Sequence, residues 1–157
     1  MKRVVAICGG EKASKEELSL AEECGRLIAR KGAVLLTGGL GGVMKSASQG
    51  ASEEGGLVVG ILPGNQREDA NPFVDIPIVT NMGFARNAII VLSAEGIIAI
   101  GGESGTLSEV AFSLKAGKPL VVLAGWEGMR RHFPSLRFAQ KPEEAVEILW
   151  KLMDTVG

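Results

Sequence analysis

The chain is poor in the residues that mark metal, disulfide, nucleic-acid or membrane proteins. Among its 157 residues there are two cysteines, one histidine and no tyrosine. Cys8 and Cys24 stand at no metal-binding or redox spacing, so they read as small buried hydrophobes in a reducing cytoplasm. A single histidine leaves too few soft ligands for zinc, and no metal site is expected. Aromatic residues make up 4% of the chain, too few for a base-stacking platform. Neither sign of charge dominates: 17 basic and 18 acidic residues give a net charge of −1. Nothing in that balance points to a nucleic-acid backbone or an anionic membrane as partner. Apolar runs are broken by Glu95, Gly96 and Gly101 before they could span a bilayer. Met1-Lys2-Arg3 runs directly into a strand-like segment, without the apolar stretch and cleavage site of a leader. The expectation is a cytoplasmic protein.

What remains is a regular alternation. Strands are expected at Arg3–Cys8, Ala33–Thr37, Leu57–Leu62, Ile76–Val79, Ile97–Ile100 and Leu120–Ala124. Helices fall between them. One opens with the capping-box pattern Ser14-Lys15-Glu16-Glu17, others cover Val43–Glu54, Phe84–Ala94 and Val110–Ala116, and Pro142–Met153 closes the chain. This pattern predicts βαβ units. The fold class is α/β: one Rossmann-like domain over residues 1–157, a three-layer sandwich with a mostly parallel, doubly wound sheet and helices on both faces. Phe84–Ala94 is apolar around its whole circumference, which predicts burial on every side. One side is expected on the sheet and the other on a second subunit, giving a homodimer or higher homo-oligomer through helix 84–94.

Two segments carry the chemistry. After one apolar strand comes Gly101-Gly102-Glu103-Ser104-Gly105-Thr106-Leu107-Ser108-Glu109, and after another comes Gly38-Gly39-Leu40-Gly41-Gly42. A glycine-rich turn from strand into helix leaves backbone N–H groups free at the positive end of a helix dipole, a ready phosphate site. In a parallel sheet both turns lie at the carboxyl edge, where open α/β sheets bind ligands. The dinucleotide fingerprint is absent, since the first strand ends Cys8-Gly9-Gly10-Glu11, so neither NAD nor FAD is expected. Arg86 lies in the first turn of its helix, where the dipole disfavours a cation unless an anion joins it. Glu109 has two readings. It completes a capping box with Thr106, or it places a carboxylate beside the bound anion. Lys45 reads as a solvated side chain, Arg130-Arg131-His132 as surface loop, and Trp126 and Trp150 as packing residues.

These motifs resemble the LONELY GUY (LOG) family, long mislabelled as lysine decarboxylases. Gly101–Glu109 is similar to its P-G-G-x-G-T-x-x-E signature, Gly38–Met44 to its G-G-G-x-x-G-L-M turn, and Val59-Gly60-Ile61-Leu62-Pro63 to its V-G-V-I-P strand end. Met82–Arg86 resembles its M-x-x-R-K segment, with one extra residue. The resemblance spans roughly residues 5 to 125. It implies a Rossmann-like dimer that cleaves the N-glycosidic bond of nucleoside 5′-monophosphates, with Arg86 and Glu109 as the catalytic pair. It also implies phosphate or ligand binding by Gly9, Gly38, Gly39, Gly41, Gly42, Met82, Gly101, Gly102, Ser104, Gly105 and Thr106. No cofactor is required by that chemistry. Ile100 in place of the motif proline and Asn87 in place of its lysine look more like a sister branch that includes the molybdenum cofactor carrier protein. Two functions therefore stand: a phosphoribohydrolase, or a non-catalytic carrier of a nucleotide or molybdopterin-type ligand.

Overall fold

The computed structural model describes residues 1–156. Seven strands form one sheet in the order β4-β3-β2-β1-β5-β6-β7. They are β1 (Val4–Gly9), β2 (Val34–Thr37), β3 (Val58–Leu62), β4 (Ile76–Val79), β5 (Gly96–Ile100), β6 (Leu120–Ala124) and β7 (Arg137–Phe138). Every pairing is parallel, so the sheet is parallel throughout rather than mostly so. Five α-helices accompany it: α1 (Lys15–Arg30), α2 (Val43–Glu53), α3 (Arg86–Ser93), α4 (Ser104–Lys115) and α5 (Pro142–Val156). The expected strands and helices are all present, most with ends shifted by one to three residues; α4 begins six residues before the expected Val110. The two-residue β7 was not expected; it follows a short 3-10 turn at Glu127–Arg131 inside the segment read as surface loop.

The period-two alternation of each strand sorts its side chains between two cores. Val5, Ile7, Leu35, Ile98, Ile100 and Val121 point to the face covered by α1, α2 and α5. Ala6, Cys8, Leu36, Ile97, Ala99 and Val122 point to the face covered by α3 and α4. Both faces are covered, and the strands read as nearly unbroken apolar runs for that reason. The chain steps outward from β1 to β4, then returns to place β5 on the other side of β1. The loops after β1 and β5 therefore diverge at the switch point, where a crevice opens at the carboxyl edge.

Local signals set the helix ends. Ser14 and Glu17 form the expected capping box at the start of α1. The segment expected as one helix from Phe84 divides in two. Gly83–Ala85 is a 3-10 turn, and α3 begins at Arg86. Within one chain this segment is not covered on all sides, since Phe84 is 86% and Leu92 58% exposed.

Helices α1 and α2 cross at close range because of Gly25. A Cβ built there would lie 2.0 Å from the Ala47 carbonyl oxygen, a backbone atom that cannot move aside alone. Gly25→Ala is expected to force the helices apart and destabilise the protein by about 1–3 kcal/mol, the usual cost of overpacking. Urea unfolding followed by circular dichroism measures it; an unchanged midpoint would show that the crossing is loose.

Candidate functional site

A cavity of about 290 Å³ opens at the switch point, lined by the ends of β1 and β2 and by the first turns of α3 and α4. That is near the lower end for small-molecule sites. Arg86 and Glu109, which are distant in sequence, both line it. Each is 8% exposed.

Arg86 is the first residue of α3. Its side chain turns away from the helix dipole toward the end of β3. There Nε donates to the Ile61 carbonyl at 2.8 Å, and Nη1 donates to Asn87 Oδ1. The guanidinium lies against Gly38, where a Cβ would sit 2.7 Å from Nη2 and 2.7 Å from Met44 Sδ. Gly38 therefore makes room for the cation. Burial lowers the Arg86 pKa from its ordinary value, and the nearby Glu109 charge opposes that shift.

Glu109 projects from α4 into the same cavity. The capping-box reading does not hold. The helix starts at Ser104, three residues before Leu107, and its N-cap is Glu103, with no side-chain cap bond. Thr106 is thus already inside the first turn, 3% exposed, and Glu109 is free of any capping role. Burial pushes the Glu109 carboxyl up to about 6, while the Cys8 thiol and the Arg86 charge pull it the other way. The thiol of Cys8, at the end of β1, is in turn raised by burial and then by Glu109. Arg86 and Glu109 feel each other's charge, yet they are absent from the ion pairs among the described residues. The two charges face one space without closing on each other.

The remaining expected residues divide. Gly9, Gly38, Ser104, Gly105 and Thr106 line the cavity, whereas Gly39, Gly41, Gly42, Met82, Gly101 and Gly102 lie outside its lining. The two turns are tied by different neighbours. At the start of α2, the Val43 N–H donates to the Gly10 carbonyl at 3.0 Å, and the Gly39 N–H donates to Thr37 Oγ1 at 3.0 Å. Asn71 Nδ2 reaches back to the Leu40 carbonyl at 3.0 Å, which ties the Gly38–Gly42 turn from a neighbouring loop. Those bonds tie the turn in place, but α2, like α4, has no side-chain cap; what separates the two turns is that only the second puts consecutive residues of its helix start into the cavity. The first N–H groups of α4 have no partner within the helix and no side-chain cap. Gly101 is fixed behind them: its N–H donates to Ala124 O at 2.7 Å, and its carbonyl accepts from Trp126 Nε1 at 2.7 Å. Trp126 is thus a strut of the turn, and its own backbone takes the left-handed conformation, φ 61°.

Polar residues that were not among the expected site residues also line the cavity. Glu11 and Lys12 come from the loop after β1, Asn87 from α3, and Glu103 from the start of α4. Proximity to Gly9, Arg86 and the Gly101 turn was the available signal for all four. Lys12 adds a second cation at the rim, and the exposed carboxylates of Glu11 and Glu103 add acceptors. Among the described residues no group of three or more His, Cys, Asp or Glu gathers as a metal site. Among the described residues no helix is long and apolar enough to cross a membrane.

With this geometry in view, comparison with known proteins places the chain. Residues 2–151 match the model of the SLOG cluster4 family. The chain belongs to that family. It is 33% identical over 144 residues to a cytokinin riboside 5′-monophosphate phosphoribohydrolase of Mycobacterium tuberculosis, covering 85% of this chain and 74% of that protein. Among solved structures it is similar to the molybdenum cofactor binding protein of the phototrophic bacterium Rippkaea orientalis. There the TM-score is 0.93, the identity 41%, and the alignment covers 98% of both chains. The molybdenum cofactor carrier protein of Chlamydomonas reinhardtii aligns with a TM-score of 0.90 and 36% identity, over 98% of this chain and 99% of that one. The family resemblance and the expected fold are borne out.

The buried Glu109 gives a stability test. The folded protein holds its proton up to about 6, against 4.5 ordinarily. Stability from the protonated form is therefore complete below pH 4.5 and lost as pH rises through about 6, on the order of 2 kcal/mol. Glu109→Gln removes the ionisation. It is expected to melt roughly 4–8 °C above the parent at pH 8 and to converge with it below pH 4.5. Equal melting temperatures at pH 8 would show that the carboxyl is solvated.

Proposed function

We propose that this SLOG cluster4 protein binds a phosphorylated heterocycle of the pterin-cofactor class and carries it without cleaving it. The observation that carries the reading is the convergence of the open amides of α4 with the buried Arg86 on one cavity. A phosphate at the start of α4 would meet charge-assisted and dipolar partners together. The rim carboxylates of Glu11 and Glu103 suit a ligand whose other end carries N–H and O–H donors, as a pterin does. The full-length likeness to the Rippkaea and Chlamydomonas molybdenum cofactor proteins supports a carrier over a hydrolase. So does Arg86 itself, whose Nε and Nη1 are already bonded within the protein. Here the molybdenum-bearing pterin would be cargo, not a resident catalyst.

A second reading, hydrolysis of a nucleoside 5′-monophosphate, is favoured by one observation: Glu109 titrates at about 6, close to working pH. In that reaction the bond from C1′ to the base nitrogen breaks and its electron pair leaves with the base. Ionised Glu109 would stabilise the oxocarbenium-like sugar and accept a proton from the attacking water as its oxygen bonds to C1′; passing that proton to the departing base nitrogen, directly or through solvent, leaves neutral base and ribose 5-phosphate and restores the carboxylate. Self-association through α3 belongs to the same proposal, supported by exposed Phe84 and Leu92. A cytoplasmic location is supported by the two free, buried thiols.

The deciding experiment incubates purified protein separately with molybdopterin and with AMP, following binding by calorimetry and free adenine by chromatography. The expected outcome is molybdopterin binding without adenine release, weakened about 10-fold or more in Arg86→Ala. Adenine release that rises through pH 6 and vanishes in Glu109→Gln would establish the hydrolase instead. Absence of binding by either compound would overturn both readings.

A further inference from the structure

Resting on the phosphate site proposed above, we infer that Asn87 and Ser108 are positioning residues that lock Arg86 to the first turn of α4, so that the cation and the amides act as one preorganised unit.

Three hydrogen bonds run from α3 to the anion-facing turn. Arg86 Nη1 donates to Asn87 Oδ1. Asn87 Nδ2 donates to Ser108 Oγ at 3.2 Å. Ser108 Oγ donates to the Gly105 carbonyl at 2.7 Å. Chemistry fixes the direction of this chain. A guanidinium only donates, so the amide oxygen of Asn87 must face Arg86 and its NH₂ must face Ser108. The hydroxyl then accepts from Asn87 and has its one proton left for Gly105. No member can be reversed without breaking its neighbour. Asn87 is 6% exposed, and its bond with Arg86 is buried, where water competes little. Gly105 lines the cavity together with Arg86, so the two ends of the chain are the two sides of the anion site.

Asn87 stands where the resembled family motif has a lysine. A lysine ammonium has three donors and no acceptor, so it could neither receive the Arg86 proton nor orient the guanidinium. The link from Arg86 to α4 thus depends on an amide at this position. A fixed arginine also limits the entropy lost when an anion arrives, the general advantage of preorganisation.

The test is an NMR titration of the whole protein with inorganic phosphate, following the Gly105 and Thr106 amides and the Arg86 Nε–H. In the parent protein all three are expected to move with one dissociation constant. Ser108 is exposed, so Ser108→Ala should fold normally. It is expected to weaken phosphate about 3–10-fold, the worth of one hydrogen bond, and to broaden or shift the Arg86 Nε–H before phosphate is added. Ser108→Thr, which keeps the hydroxyl, is expected to restore both. Asn87→Asp places a carboxylate against Arg86 but removes the donor to Ser108, and should weaken phosphate more than Ser108→Ala. Parent-like affinity and an unmoved Arg86 signal in Ser108→Ala would overturn the coupling while leaving the site intact. If phosphate moves none of these resonances in the parent protein, the site itself fails and the coupling with it.

Discussion

A buried cation and a buried carboxyl that do not neutralise each other form the constraint on which the rest depends. Arg86 and Glu109 are each 8% exposed, and burial acts against the charged form of both. Paired directly, they would form an internal salt bridge with no space for a ligand. Instead the Ile61 carbonyl and Asn87 hold the guanidinium on one side of the cavity, and α4 holds the carboxyl on another. The protein bears the electrostatic cost of two separated charges in its interior. Such an arrangement is uncommon outside functional sites.

The sheet order makes that arrangement available. Because β5 returns to the side of β1, the loop after β1 and the turn into α4 flank one crevice, and α3 ends in the loop that feeds β5. The α3–α4 face carries the site. The α1–α2–α5 face supplies the larger core, including Ile7, Leu35, Ile98 and Ile100. The Gly101 turn is tied to β6 through Ala124 and Trp126. The amides of α4 are therefore held by the sheet rather than by a loose loop.

Much of this was legible in the sequence because two signals are strong there. Period-two apolar runs alternating with helical stretches gave the layers and the sheet, and the two glycine-rich turns gave the edge where the cavity lies. Arg86 stood out because a cation at a helix start lacks a local reason. Other features depend on tertiary contacts and were hidden. Glu109 matched a capping box in spacing, but the helix began two residues before Thr106, which turned the carboxylate inward. The two glycine turns looked equivalent, yet Asn71, Gly10 and Thr37 tie the first, Ala124 and Trp126 tie the second, and only the second brings consecutive residues of its helix start into the cavity. Nothing in the local sequence at 38–42 records that. Asn87 was visible only as a departure from a motif; its partners lie on α4.

The carrier and hydrolase readings proposed above share one requirement, an anion seated at the start of α4 within reach of Arg86. A crystal structure of the protein soaked with AMP tests that requirement most directly. The account predicts the phosphate oxygens on the Ser104, Gly105 and Thr106 amides, with Arg86 Nη2 on the same group and the base toward Glu11 and Glu103. A phosphate bound instead to the Gly39–Gly42 turn, or to the separate cavity beside Lys118 and Arg137, would contradict it.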